Sequence, residues 1–273
     1  ITRRDDMKVI LSRKGMDSES GRVASPILPD GTLLSLPIPD RKSKKKYEDI
    51  QYKGQNYRDI ITRLHPDFDF ESYPTCHLDP DIYEDIDDRP VDWVPAFGQW
   101  GVAATHLDKS CVDVGDIFLF YGMFRETEIQ NGKLSYIKGA PIRHIIYGYL
   151  EIGEVIKDDQ KIAEKYNWHP HSIEPFYTNN RIYISKKCST FHYDDSLVLT
   201  QKDQPSRSVW KLPSFFAQKG ISISWQGHTH PIIKGDSCIL KTASRGQEFV
   251  ITTDTKEQEG NLSDWVKEII SHK

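Results

Sequence analysis

Short apolar runs, each closed by turn chemistry, fill this chain and restrict it to a strand-rich fold. Residues 9–11, 32–38, 116–120, 144–152, 181–185, 197–200, 221–225 and 249–252 are rich in Ile, Leu, Val, Phe and Tyr and read as strands. Asp30-Gly31 and Asn131-Gly132 supply tight hairpin turns, because both dipeptides tolerate the positive φ such turns need. Helical spacing is confined to residues 57–64, residues 158–166 and a C-terminal helix carrying Val266, Ile269 and Ile270, with Asn261 or Ser263 as its N-cap. Residues 97–107 read as a turn entering a short helix, and residues 65–90, acidic and broken by prolines, read as irregular. No strand–helix–strand alternation and no solenoid repeat is present. The expected class is α+β: a mainly antiparallel, PUA-like barrel-type sheet with a few peripheral helices. Residues 7–273 are expected to form one domain, with residues 1–6 an extension ahead of Met7 that lies outside the fold.

Composition narrows the function classes. With 273 residues the chain can bury a substantial core, and its 11% aromatic content offsets a hydrophobic share of only 37%. A net charge of -4 excludes a generally basic nucleic-acid binder and leaves phosphate contacts to local patches. No apolar run approaches the roughly 20 residues of a membrane span. No apolar stretch marks a signal peptide near Ile1, so no membrane contact and a cytoplasmic location are expected. Cys76, Cys111, Cys188 and Cys238 lack C-x-x-C spacing, which argues against a zinc ribbon or a thioredoxin motif and for free thiols.

Polar chemistry sits directly beside several strand candidates, where a strand would position it rigidly. Arg13 and Lys14 beside Gly15 suit a phosphate, and Arg125 suits a two-pronged contact to phosphate or carboxylate. Gln99 offers an amide next to an aromatic ring. Arg245, Gln247 and Glu248 precede the last strand, where Gln can pair with a base edge. His77 with Asp79 and Asp81 combines a base with carboxylates that can divide acid and base work. His169 with His171, and His228 with His230, form two H-x-H pairs. No H-E-x-x-H or facial-triad spacing accompanies them, so no metal is assigned and no cofactor is identified. Lys42, Lys44, Lys45 and Lys46 read as a solvated loop in preference to a phosphate patch.

Residues 114–122 and 145–156 form a strand, hairpin, strand unit that looks like the centre of PUA-like and EVE-type barrels. A wider set of segments resembles the third nucleotide-modification-associated domain family. These are residues 7–15, the run Ser25-Pro26-Ile27-Leu28-Pro29-Asp30-Gly31 continuing to Leu36-Pro37-Ile38-Pro39-Asp40, and residues 77–81, with Phe97-Gly98-Gln99 and residues 115–122. Residues 144–153, His169-Pro170-His171, Trp210-Lys211-Leu212-Pro213 and residues 246–250 complete it. The resemblance implies a phage or bacterial protein that acts in DNA base modification or handles modified nucleotides, alongside partner proteins of such a system. It carries no assigned catalytic set. Tyr121 and Met123 depart from an expected Phe/Trp-rich run, which would alter a base-stacking surface.

Three readings follow. An enzyme acting on a nucleotide or nucleic-acid base would use His77, Asp79, His169, His171 and Glu248 for proton transfer. Arg13, Lys14, Gln99, Arg125, Arg245 and Gln247 would hold its ligand, and the whole set should converge on one concave pocket. A PUA/EVE-like module that only reads a modified base would show an aromatic pocket without paired acid and base. An interaction subunit would use these motifs only to stabilise loops.

Overall fold

Val9, Ile10 and Leu11 are fully buried, and a strand covered on both faces belongs in the middle of a sheet. That is where it lies in the computed structural model of the chain, which describes residues 7–224, 230–243 and 248–272. In chain order the first strands are β1 (Val9–Arg13), β2 (Ser25–Ile27), β3 (Ile38–Pro39), the small hairpin β4 (Gln51–Tyr52) and β5 (Gln55–Asn56), β6 (Cys76–His77) and β7 (Ala96–Gln99). The long strands β8 (Ile117–Gln130), β10 (Arg143–Ile156) and β11 (Arg181–Thr190) follow, with β9 (Lys133–Tyr136) between the first two. The remaining strands are β12 (Val209–Pro213), β13 (Ile221–Ile223), β14 (Ile232–Lys234), β15 (Ser237–Lys241) and β16 (Glu248–Thr253). Four α-helices occur among the described residues: α1 (Tyr57–Leu64), α2 (Gly101–Lys109), α3 (Asp159–Lys165) and α4 (Lys256–Ile270). None of them is long and apolar enough to cross a membrane.

The main sheet runs β13-β16-β1-β8-β10-β11-β7, with β2 and β9 pairing on β8. The class is α+β as expected, but the sheet is mixed, because β1 and β2 both run parallel to β8. It curls into a half-barrel and does not close. The outer edge of β7 is already occupied: Ala96 and Asp81 exchange backbone hydrogen bonds (2.9 and 3.1 Å), and the Gly98 N–H donates to Asp79 Oδ1 at 2.8 Å. The Asn131-Gly132 turn joins β8 to β9 with φ of 51° and 74°, the left-handed pair that a two-residue hairpin requires.

Curling brings the two sides of the sheet together. Gln99 Nε2 on β7 donates to Glu248 Oε1 on β16 at 2.6 Å, and Lys14 Nζ donates to the same oxygen at 2.8 Å. Lys14 Nζ also lies 4.5 Å from the centre of the Phe97 ring, which packs on Phe118, Phe120 and Tyr183. One hydrophobic cluster draws on residues from Val9 to Ile269.

Several elements differ from expectation, and one of them, β7, is a strand where residues 97–107 read as a turn entering a helix. Residues 32–38 pair piecemeal, Leu33 with Ile27 and Thr32 with His192, so only Ile38–Pro39 remains a strand. Residues 197–200 begin as a single helical turn, because Asp194 caps Ser196 N. The C-terminal helix starts at Lys256 with Thr255 as its cap, and Gly260, an interior position that disfavours helix, hides that earlier start in the sequence.

A separate three-stranded sheet, β12-β15-β14, packs against the main sheet through Trp210, whose ring meets those of Tyr121 and Phe249. Fully buried Trp210 donates from Nε1 to His144 Nδ1 at 3.2 Å. That bond needs an unprotonated Nδ1. Burial, with Arg13 and Arg207 nearby, pushes the His144 pKa down from 6.5 to about 3. The unfolded chain therefore takes up a proton that the folded one refuses, and stability is lost as pH falls from 6.5 towards about 3. His144→Asn, which keeps an acceptor for Trp210, is expected to flatten this slope by up to about 1.4 kcal/mol per pH unit, read from urea midpoints between pH 7 and 4. A second expectation concerns the buried ion pair. Lys14→Met strands Glu248 and should destabilise the fold by about 3 kcal/mol, whereas adding Glu248→Gln to it should recover most of the loss in the same assay.

A candidate active site around Asp79

Antiparallel pairing of β3 with β6 sets Ile38 opposite His77 and so brings Asp40 beside it. His77 Nδ1 lies 2.9 Å from Asp40 Oδ2, and Asp40 is fixed in turn by the Lys42 N–H on Oδ1 at 2.8 Å. Two residues on, Asp79 turns inward and is anchored on the Gly98 N–H. On the other side His169 caps the turn Pro170–Ser172, with its Nδ1 accepting the His171 N–H at 3.2 Å. The His171 ring packs over Gly98, where an added Cβ would overlap it. Its Nδ1 lies 2.7 Å from Asn180 Oδ1. Asn180 immediately precedes β11, the partner of β7.

Three imidazoles thus meet one carboxylate. His77 Nε2 and His171 Nε2 each stand 3.6 Å from Asp79 Oδ2, and His169 Nε2 stands 3.5 Å from Asp79 Oδ1. That last separation is too long for a full hydrogen bond, so buried His169 Nε2 has no partner among the described residues. The three histidines are almost fully buried. Burial opposes a charge on His77, yet the hydrogen bonds and charges of Asp40 and Asp79 outweigh it and push the His77 pKa up to about 9. Burial likewise opposes the charge of Asp79, but His169 and His77 hold its carboxyl well below the usual carboxylate range. Burial dominates at His171 and pushes its pKa down to about 3. The centre is therefore a carboxylate with a cationic and a neutral imidazole on its Oδ2 side, an arrangement suited to moving a proton or holding a cation. His77, Asp79 and His171 each offer one donor atom, and the three atoms lie within 4.8 Å of one another.

Leu78, His169 and Pro170 also line a cleft of about 620 Å³. Half-buried Trp93 and Trp168 face it with ring centres 6.4 Å apart. Trp168 Nε1 has no hydrogen-bond partner among the described residues. Lys44, Lys45, Asp87 and Asp88 also line the cleft. The basic run is a loop, with Lys44 and Lys46 exposed; Lys42 Nζ lies 3.7 Å from the Tyr177 ring centre, and Lys44 and Lys45 line the cleft.

Among the described residues, the candidates do not gather in a single pocket. His77, Asp79, His169 and His171 come together. Lys14, Gln99 and Glu248 form a second buried group inside the curled sheet, in which Glu248 Oε2 has no partner among the described residues. Alternation along β7 separates the two groups, since Gly98 serves one and Gln99 the other. Arg13 pairs with Asp17 at 3.5 Å and lines a separate cleft of about 390 Å³ with His144 and Arg207. Arg125 donates to the Ile137 carbonyl and stacks on Tyr136, which props the β8–β9 hairpin. Asp81 is held by Arg89 and Trp93. Arg245, Gln247 and His228 lie outside the described residues. Asp40, Gly98, Asn180, Trp93 and Trp168 contribute to the site without having been singled out from the sequence. Of these, Asp40 closes the long proline-rich run and Gly98 sits in Phe97-Gly98-Gln99, so both stood inside segments already marked.

Fold and site together define an α+β protein with a buried three-histidine, one-carboxylate centre in the wall of an aromatic cleft. The family model for nucleotide modification associated domain 3 matches residues 8–252, and the chain belongs to that family. No curated protein and no solved structure matches the chain.

Gly98→Ala is expected to push the His171 ring off Asp79 and to destabilise the fold by about 1–3 kcal/mol, read by thermal unfolding together with the His171 imidazole NMR signals. An unchanged His171 signal would mean that the ring does not need this glycine.

Proposed function

We propose that the chain is an enzyme that modifies a nucleotide or nucleic-acid base, with the ligand in the Trp93–Trp168 cleft and the chemistry at the Asp79 centre. The observation that carries this reading is the shared wall: Leu78 and His169 belong both to the cleft and to the segments that form the centre. Membership of a nucleotide-modification family supports the substrate class. A cleft of about 620 Å³ suits a ligand of nucleotide size. Tryptophan faces accept any base by stacking, and Lys44 and Lys45 supply positive charge for its phosphate. The Asp79 centre, with the imidazoles around it, would then supply a proton or a bound cation at the reacting atom.

The same two tryptophans would also serve a module that binds a modified base without changing it. Turnover separates the two readings.

Titration with deoxynucleoside monophosphates and short single-stranded DNA is expected to quench tryptophan fluorescence. Trp168→Ala should weaken binding by about 1–3 kcal/mol, and Lys44→Glu with Lys45→Glu should weaken it further and reduce its salt dependence. No quenching by any of these ligands would remove the nucleotide-site reading. Product formed by the wild type and lost in Asp79→Asn, with binding retained, would favour the enzyme over the binding module.

A further inference from the structure

We infer that His77, Asp79 and His171 form a binding site for one divalent first-row transition metal ion, a two-histidine, one-carboxylate centre. The inference deepens the proposed function, since it assigns the ion to the centre on which that reading rests.

The hydrogen bonds around the three side chains leave the inward-facing donors bare. Asn180 Nδ2 donates to the His171 carbonyl at 3.0 Å and to Asp159 Oδ1 at 2.8 Å, which fixes its amide with Oδ1 towards His171 Nδ1. An amide oxygen only accepts, so His171 donates from Nδ1 and presents a lone pair at Nε2. That lone pair faces Asp79 Oδ2, itself an electron-pair donor, across 3.6 Å. Two such donors repel each other unless positive charge lies between them. His77 turns Nδ1 to the Asp40 carboxylate and Nε2 to Asp79 Oδ2 at 3.6 Å, and an ion arriving between Nε2 and Oδ2 takes the place of the Nε2 proton. An outer carboxylate or amide oxygen on each imidazole is the support that metal-bound histidines use.

Asp79 is divided to match. Oδ1 accepts the Gly98 N–H at 2.8 Å and faces His169 Nε2 at 3.5 Å. Because His169 Nδ1 accepts the His171 N–H, neutral His169 carries its proton on Nε2, directed at Oδ1. Oδ2 is left for single-point ligation. His169, whose buried Nε2 lacks a full partner, is thus a positioning residue that can tighten onto Oδ1 when Oδ2 takes up an ion. Donors about 2.0–2.1 Å from a metal stand roughly 3–3.4 Å from one another, so the 3.6 Å separations need to contract by only a few tenths of an ångström. Two imidazoles and one carboxylate suit Fe(II), Mn(II), Co(II) or Zn(II), not the all-oxygen preference of Mg(II) or Ca(II). Three protein donors leave the remaining coordination positions for substrate or water.

Co(II) is the probe, because its visible absorption reports nitrogen and oxygen ligation. The chelator-stripped full chain is expected to bind one equivalent, with a visible band and a raised thermal midpoint, and millimolar Mg(II) should not displace it. His77→Ala, His171→Ala and Asp79→Asn should each abolish the band, and Asn180→Ala should weaken binding about 10- to 100-fold. Asp79→Asn is close in size to the native residue, and its circular dichroism will show that loss of metal is not loss of fold. No stoichiometric uptake by the wild type overturns the inference, as does uptake unchanged in the His77 and His171 variants. Nucleotide quenching measured on the stripped protein tests the proposed function separately. Metal uptake without nucleotide binding sinks that function and leaves the metal site standing, and the reverse result does the opposite.

Discussion

The hydrogen bond from Gln99 to Glu248 joins β7, the last strand on one side of the sheet, to β16 on the other, with β1, β8, β10 and β11 between them. Those two side chains meet only because the sheet is strongly curled. The same oxygen accepts the Lys14 ammonium, so a carboxylate that is 1% exposed has a cation, an amide and an aromatic wall around it. A buried carboxylate without such partners would cost several kcal/mol. The contact therefore selects the curled arrangement over a flatter one with equal strand pairing. Its consequence reaches the other face of β7, where the adjacent Gly98 holds Asp79 and makes room for His171.

The Asp79 centre buries charge in a different way from the Glu248 pair. Glu248 is matched by a lysine in a fixed pair. Asp79 is surrounded by imidazoles, whose charge state can change, and each outer nitrogen is assigned by a neighbour: Asp40 for His77, the His171 backbone for His169, Asn180 for His171. Purely structural burial would favour the first solution, because it leaves fewer donors facing one another. Three rings on one carboxylate, with His169 Nε2 unsatisfied among the described residues, keep the centre poised for a proton or a cation.

Much of the fold was legible in the sequence. Helix α1 runs over residues 57–64 as its spacing predicts, and β1, β8, β10, β11 and β16 fall on the predicted apolar runs, although β8 and β11 extend well past them. Those extensions carry polar residues, which periodicity reads as loop. His77, Asp79, His169 and His171 were legible one by one as chemistry near strands. Their meeting was not, because it depends on long-range pairings: β3 with β6 supplies Asp40, and β7 with β11 sets Gly98 opposite Ile182. Histidine spacing along the chain is silent about such a centre, whose donors come from His77-Leu78-Asp79 and a distant turn. The lysine run is the loop that its composition suggests, but composition could not show that Lys44 and Lys45 line the cleft.

Net acidity is no obstacle to an anionic ligand when the local field is polarised. Lys44 and Lys45 line the cleft together with Asp87 and Asp88. Screening at physiological salt acts over about 8 Å, so each pair of charges still acts on groups within a few ångströms of it. A nucleotide entering it would turn its phosphate towards the lysines and away from the aspartates. Its base would then lie against Trp93 and Trp168, beside the wall that His169 shares with the Asp79 centre. In the proposed reading, the charged residues lining the cleft would set which end of a nucleotide meets the chemistry, a task that neither the tryptophans nor the histidines could perform alone.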